Sequence, residues 1–292
     1  MYKALEEAIR DAESQKKTLA QVALACEAED QGRTVDDIRA SLARALVVMR
    51  SAVEQGMTGD LRSNSGLVGG DAAKLRTGPD GPLAGTPFRD ILMRALAVQE
   101  VNAAMGVIVA APTAGGAGVL PAVLTGLAAA RGFDDEKLVD ALATAGLIGA
   151  VIAERASLSG AEGGCQAETG AAAAMAAGSA TEMLRGTPSQ VGHATALAMQ
   201  GTLGLVCDPL GGLVELPCVF RNATGSAIAL SAIEMALAGI TFAIPVDEVI
   251  DVMGEIGRTM DVRYRETAGG GLAATPTGRR LAKERLYQIK RE

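Results

Sequence analysis

The chain has 292 residues, a net charge of −7, 2% aromatic residues and no Trp. That length holds one large domain or two small ones with an ample core, and mixed-sign acidity without a basic stripe speaks against a nucleic-acid partner. Scarce aromatics beside abundant Ala and 36 Gly favour close-packed helices over a sandwich or barrel, whose strands want β-branched and aromatic side chains.

In chain order, residues 3–29 read as a charged, amphipathic helix with no signal-peptide character, so the expected location is cytoplasmic. Cys26 lies on this helix as a small buried hydrophobe and is assigned no role. Thr34, with Asp37 three residues on, is a variant of the capping box and opens the next amphipathic run. Residues 1–60 can be read as a helical arm packed on a single domain that spans 1–292. A Gly-rich loop follows at 63–85. Thr86 and Pro87 then open a helix as N-cap and first helical residue.

Residues 101–130 are uncharged and exceed the ~20 residues of a membrane span. Pro112, Gly115, Gly116 and Pro121 interrupt them, so they read as a Gly-rich loop, 111–121, between two helices rather than a crossing of lipid. Helices are expected at 134–154 and 166–184, separated by a loop at 160–165. Thr187, Pro188 and Gln190 open another with a capping box. Helices at 222–237 and 247–260 follow a loop at 207–213. A loop at 266–278 then leads to a last helix opened by Thr275 and Pro276. The apolar runs VIVAAP and LGLVCDP are the only strand signals, and both are weak. The fold expected is all-α, a single large helical domain with chemistry on its Gly-rich loops.

Three cysteines stand apart from Cys26: Cys165 in EGGCQAE, Cys207 in GLVCDP and Cys218 in VELPCVFRN. The spacing matches neither a zinc ribbon nor a ferredoxin run, and in an Ala-rich chain a cysteine is often core. Gly and Pro neighbours favour the other reading, in which turns present thiolates to a ligand. Without export, four cysteines are thiols or metal ligands rather than disulfides. Three converging thiolates leave an iron–sulfur cluster one ligand short, and an open iron is a Lewis acid suited to a dehydratase.

Other candidates each have a plainer reading. Ser63, Ser65 and Gly66 in SNSGLVGGD make a nest for a carboxylate, or a capped turn before a helix at Asp71. Lys74 behind that loop offers an alternative, a pyridoxal-phosphate enzyme. Asn102 and Thr113 carry hydrogen-bonding groups at the two ends of an apolar stretch. Arg221 and Asn222 follow Cys218 closely, where Arg221 can fork onto a carboxylate or cluster sulfide, or form an ordinary ion pair. Arg265, Glu266 and Thr267, with Gly269, Gly270 and Gly271, suggest a closing loop. His193, the one histidine, lies on a predicted helix face as a satisfied side chain, so the chain offers no imidazole as base.

With SGLVGGDAAK, EVNAAMG, APTAGGAGVLP, SGAEGGCQAE, GLVCDPLGGLVELPCVFRNA and RETAGGGLAATPTG in order, the chain resembles the α subunit of the iron–sulfur-dependent L-serine dehydratases over nearly its whole length. Gly116 departs from a Ser common in that family. The resemblance implies a 4Fe–4S cluster held by Cys165, Cys207 and Cys218, with one iron free of cysteine. It implies a β subunit, separate or fused, that carries the histidine base and is absent from this sequence. Ser63, Ser65, Gly66, Asn102, Thr113 and Asn222 would bind L-serine, with Arg221 beside the cluster. L-Threonine or L-cysteine remains open as the substrate of a related lyase.

Overall fold

The structure, a computed structural model, describes residues 2–289. Among the described residues there are thirteen α-helices and no sheet, as an all-α chain requires. They are α1 (Leu5–Gln15), α2 (Leu19–Gln31), α3 (Val35–Gly56), α4 (Asp71–Thr77), α5 (Pro87–Ala103), α6 (Val119–Arg131), α7 (Asp135–Arg155), α8 (Gly160–Gly163), α9 (Ala171–Met183), α10 (Pro188–Gln200), α11 (Cys218–Leu237), α12 (Val246–Thr259) and α13 (Pro276–Ile289).

Small side chains organise the packing. Every residue of α9 is buried, and α6, α7, α10 and α11 surround it. A helix apolar all round must be enclosed, and Ala lets its neighbours come close. At Gly178 a Cβ would stand 2.5 Å from both the Ile148 side chain and the Thr195 hydroxyl, so glycine sets that approach. Residues of α1, α2 and α3 share one continuous core with α6, α7 and α9–α12. The apolar run at Ala114–Arg131 is 72% buried within this core, chiefly as α6.

Local signals place most helix starts. Thr18, Thr34 and Thr187 each close a capping box, and Thr86 accepts from Arg89 N ahead of Pro87. Five expectations need correction, the first being the loop at 160–165, in which Gly160–Gly163 form α8. The single helix at 3–29 breaks at Lys16, which adopts φ 53°, and restarts behind the Thr18 cap as α2. The loop at 111–121 gives way to α6 at Val119; Pro121 lies in its first turn, where a missing N–H costs no helical hydrogen bond. Helix α11 begins at Cys218 rather than at 222. Neither apolar run forms a strand, and LGLVCDP contributes only an isolated bridge between Cys207 and Arg265.

Two helices without a local side-chain cap, α1 and α4, are capped from far away, and α2 gains a second, distant cap. Asp247 accepts from Leu5 N at 2.8 Å and Glu6 N at 3.1 Å, at the start of α1. Glu100 accepts from Asp71 N and Ala72 N at the start of α4. Glu182, at the C-terminal end of α9, accepts from Leu19 N and Ala20 N and adds to the Thr18 cap of α2. A carboxylate at a helix N-terminus meets both unpaired N–H groups and the positive end of the dipole. These three carboxylates fasten the short or N-terminal helices onto the core.

Candidate active site

The N-terminal end of α9 is where the Gly-rich loops meet. Cys165 opens a π-turn, Gln166–Gly170, that runs directly into α9; such widened turns recur at functional sites. Gln166 holds it in place, donating to Met253 O at 3.0 Å and accepting from Gly204 N at 2.9 Å. Gly164 ahead of it has φ 75°, a conformation that suits glycine. Cys207 N donates to Tyr264 O at 2.8 Å, and Glu266 N donates to Cys207 O at 2.9 Å. The segment at 264–272 thus folds back on Cys207, and Asp208 adds an acceptor for Leu272 N at 2.6 Å. Cys218 is the first residue of α11.

All three thiols are buried, at 2%, 2% and 4% exposure. Burial pushes each pKa up, and mutual repulsion adds to it: Cys165 and Cys218 act on Cys207, and Cys165 acts on Cys218. Arg221 is the cation that works against this, at Cys165 and Cys218. Its guanidinium pairs with Asp208 at 2.8 Å and donates to Val206 O at 2.8 Å. Cys26, by contrast, is only half-buried rather than the buried hydrophobe expected, and lines an apolar groove of α2, α3 and α7.

Between the thiols lies a residue that sequence reasoning missed, Glu168. It is buried, Cys207 Sγ is 3.7 Å from its Oε2, and Thr113 Oγ1 donates to its Oε1 at 2.8 Å. Burial chiefly raises its pKa, with Glu266 adding to the rise; the Thr113 and Cys207 hydrogen bonds oppose it. Glycines make room for it: a Cβ on Gly160 would stand 2.5 Å from Oε2 and 3.2 Å from Cys207 Sγ, and one on Gly115 would stand 2.7 Å from Oε1. The signal was present three residues after Cys165, as an acidic residue within an otherwise uncharged run at 163–181.

Asn222 ties the floor of the site together. It donates to Gly115 O at 2.7 Å and to Cys218 O at 2.9 Å, and accepts from Gly118 N at 2.9 Å. Asn102 donates to Gln99 Oε1 and to Ala114 O, each at 3.3 Å. Both asparagines therefore shape the turn that presents Thr113 to Glu168.

The serine loop joins this assembly through Glu215, also missed, three residues before Cys218. Glu215 accepts from Ser65 N at 3.2 Å and from Ser65 Oγ, so a carboxylate of the protein itself occupies the nest. Ser63 Oγ accepts from Val68 N at 3.3 Å, Gly66 N donates to Ser63 O at 2.9 Å, and Asn64 N donates to Ala103 O at 3.2 Å. Lys74 is 74% exposed and paired with Asp71 at 2.7 Å, away from any enclosed pocket a pyridoxal Schiff base would need. His193 Nδ1 accepts from Phe242 N at 3.3 Å beside α1 and α12.

Among the described residues, no three His, Cys, Asp or Glu side chains are arranged to hold a single metal ion. Three buried cysteines from separate segments have the donor chemistry of an iron–sulfur cluster, in which each would serve a different iron. The fit is also electrostatic. With their pKa values raised, the three groups stay thiols unless positive charge beyond Arg221 is brought in, and a bound metal would supply it.

Residues 14–273 match the family model described as serine dehydratase alpha chain. The chain belongs to that family. It is 48% identical to the probable L-serine dehydratase, alpha chain, of Bacillus subtilis, across 97% of this chain and 95% of the relative. It is 39% identical to the L-serine dehydratase, alpha chain, of Peptoniphilus asaccharolyticus, across 90% of each. The L-serine dehydratase of Streptomyces coelicolor is 43% identical across 86% of this chain, but only 56% of that longer relative is covered.

Proposed function

We propose that this chain is the α subunit of an L-serine dehydratase that deaminates L-serine to pyruvate and ammonia in the cytoplasm, together with a β subunit. The observation that carries the reading is the burial of Cys165, Cys207 and Cys218, from three separate segments, around Glu168 at one end of α9. Residues 1–292 act as one catalytic domain, with α1–α3 packed into its core.

A 4Fe–4S cluster held by the three cysteines would supply Lewis acidity toward the substrate β-hydroxyl. The chain's own groups do the rest of the holding. Ser63, Ser65 and Gly66 bind the substrate carboxylate, and that requires Glu215 to give way at Ser65. Thr113 and Asn102 orient the substrate at the turn braced by Asn222. Arg221 offsets thiolate charge without leaving Asp208. A base on the β subunit removes the α-proton as water departs, and the resulting aminoacrylate tautomerises and hydrolyses to pyruvate and ammonia.

The test is anaerobic purification of the chain alone and with its β subunit, followed by iron and sulfide analysis and pyruvate release from L-serine. About four irons per α chain, and activity only in the pair, support the reading. Iron-free, inactive protein from both preparations overturns it. Parallel assays with L-threonine and L-cysteine decide the substrate within this class.

A further inference from the structure

Between Asn102 and Thr113 the chain crosses the rim of the site without regular structure. Met105 turns it at φ 61°, a region that residues other than glycine seldom enter. No residue from 104 to 110 is buried; Met105 is 76% exposed and Val107 72%. Ile108 and Val109 anchor the run, packing against separate parts of the core. Among the described residues, no backbone N–H or C=O of 107–112 takes part in a hydrogen bond.

Uncharged β-branched residues with bare backbone groups have the chemistry of an edge strand that lacks its neighbour. A partner chain that lays a strand along such a segment satisfies those groups and covers the apolar side chains. We propose that residues 105–110 are a docking surface for the β subunit, which pairs with the backbone of 107–110. The inference rests on the two-chain reading above. Only 56% of the longer Streptomyces relative is covered, so it carries further sequence in the same chain that a docking face on an α-like half could receive. This rim suits it, because a chain bound here lies between Asn102 and Thr113 and can deliver a base to a site that has no imidazole of its own.

The experiment is hydrogen exchange of the cluster-loaded α chain, anaerobically, with and without the β chain from the same organism. Binding affinity is measured in parallel for wild type, Met105→Asp and Val107→Asp, whose side chains are exposed. The amides of 107–110 are expected to gain roughly tenfold or greater protection on addition of the β chain. Both variants are expected to bind it roughly tenfold more weakly or worse while keeping their iron. A complex that forms with exchange at 107–110 unchanged overturns this surface and leaves the two-chain reading intact. Protection that appears in the α chain alone, rising with concentration alongside a dimer mass, assigns the segment to a second copy and overturns the proposal. No complex at all overturns the surface and the two-chain reading together.

Discussion

Glu168 and Glu182 lie on the same polypeptide stretch, both buried, both bonded by a threonine hydroxyl and both raised in pKa chiefly by burial. Their surroundings differ in one respect. Glu182 receives Leu19 N and Ala20 N, so its negative charge rests on a helix start. Glu168 receives no backbone N–H and instead faces Cys207, with Glu266 acting on it from the returning loop. A buried carboxylate among amide donors is a fastening, whereas one facing a thiol has no backbone anchor for its charge. Burial alone does not separate the two; the partners do.

The largest effects should come from the thiols on the Glu168 side. Single Ser substitutions at Cys165, Cys207 and Cys218 are expected to remove bound iron and to lower pyruvate formation by roughly a thousandfold or more, the loss of several kcal/mol of Lewis-acid stabilisation. Cys26→Ser should retain both. Iron retained at full stoichiometry in any of the three would strike that cysteine from the ligand set.

Next come the two carboxylates themselves. Glu182→Ala leaves Leu19 N and Ala20 N without their acceptor and removes one of two acceptors of the Thr144 hydroxyl, and should cost about 2–4 kcal/mol of stability in denaturant melts. Its activity per folded molecule should be unchanged. Glu168→Gln should reverse that pattern, lowering kcat about tenfold or more while the unfolding free energy moves by under about 1 kcal/mol. Equal stability losses at the two positions would erase the distinction between them.

Glycines test the same contrast by space. Gly160→Ala places a methyl group against Glu168 and Cys207, and should cost about 1–3 kcal/mol together with iron occupancy. Gly146→Ala, on α7 with no atom within 4 Å of the new Cβ, should instead stabilise by about 0.5–1 kcal/mol.

The smallest effect is a slope. The folded-state pKa of Glu182 lies above its ordinary value of 4.5, so the folded protein holds this proton to higher pH than the unfolded chain does. Its contribution is fully present below pH 4.5 and is lost as pH rises through the folded value. Stability of the wild type should therefore fall across that window relative to Glu182→Gln, measured by denaturant midpoints. A parallel course for the two proteins would place the Glu182 titration elsewhere.

Most of this was legible without coordinates wherever the cause was local. Thr18 aside, the threonine caps, the Pro at first helical positions and the Ala-rich stretch at 166–184 foretold helices within a few residues, because capping and periodicity act over one or two turns. Gly and Pro beside Cys165, Cys207 and Cys218 marked the thiols that differ from Cys26. What tertiary structure alone decided was which charges meet. Asp247 caps a helix 242 residues away, Thr113 reaches Glu168 across 55, and Glu215 enters the Ser65 nest across 150. A carboxylate carries no local mark of its partner, so the split between the fastening at Glu182 and the open face at Glu168 came only with the packing around α9.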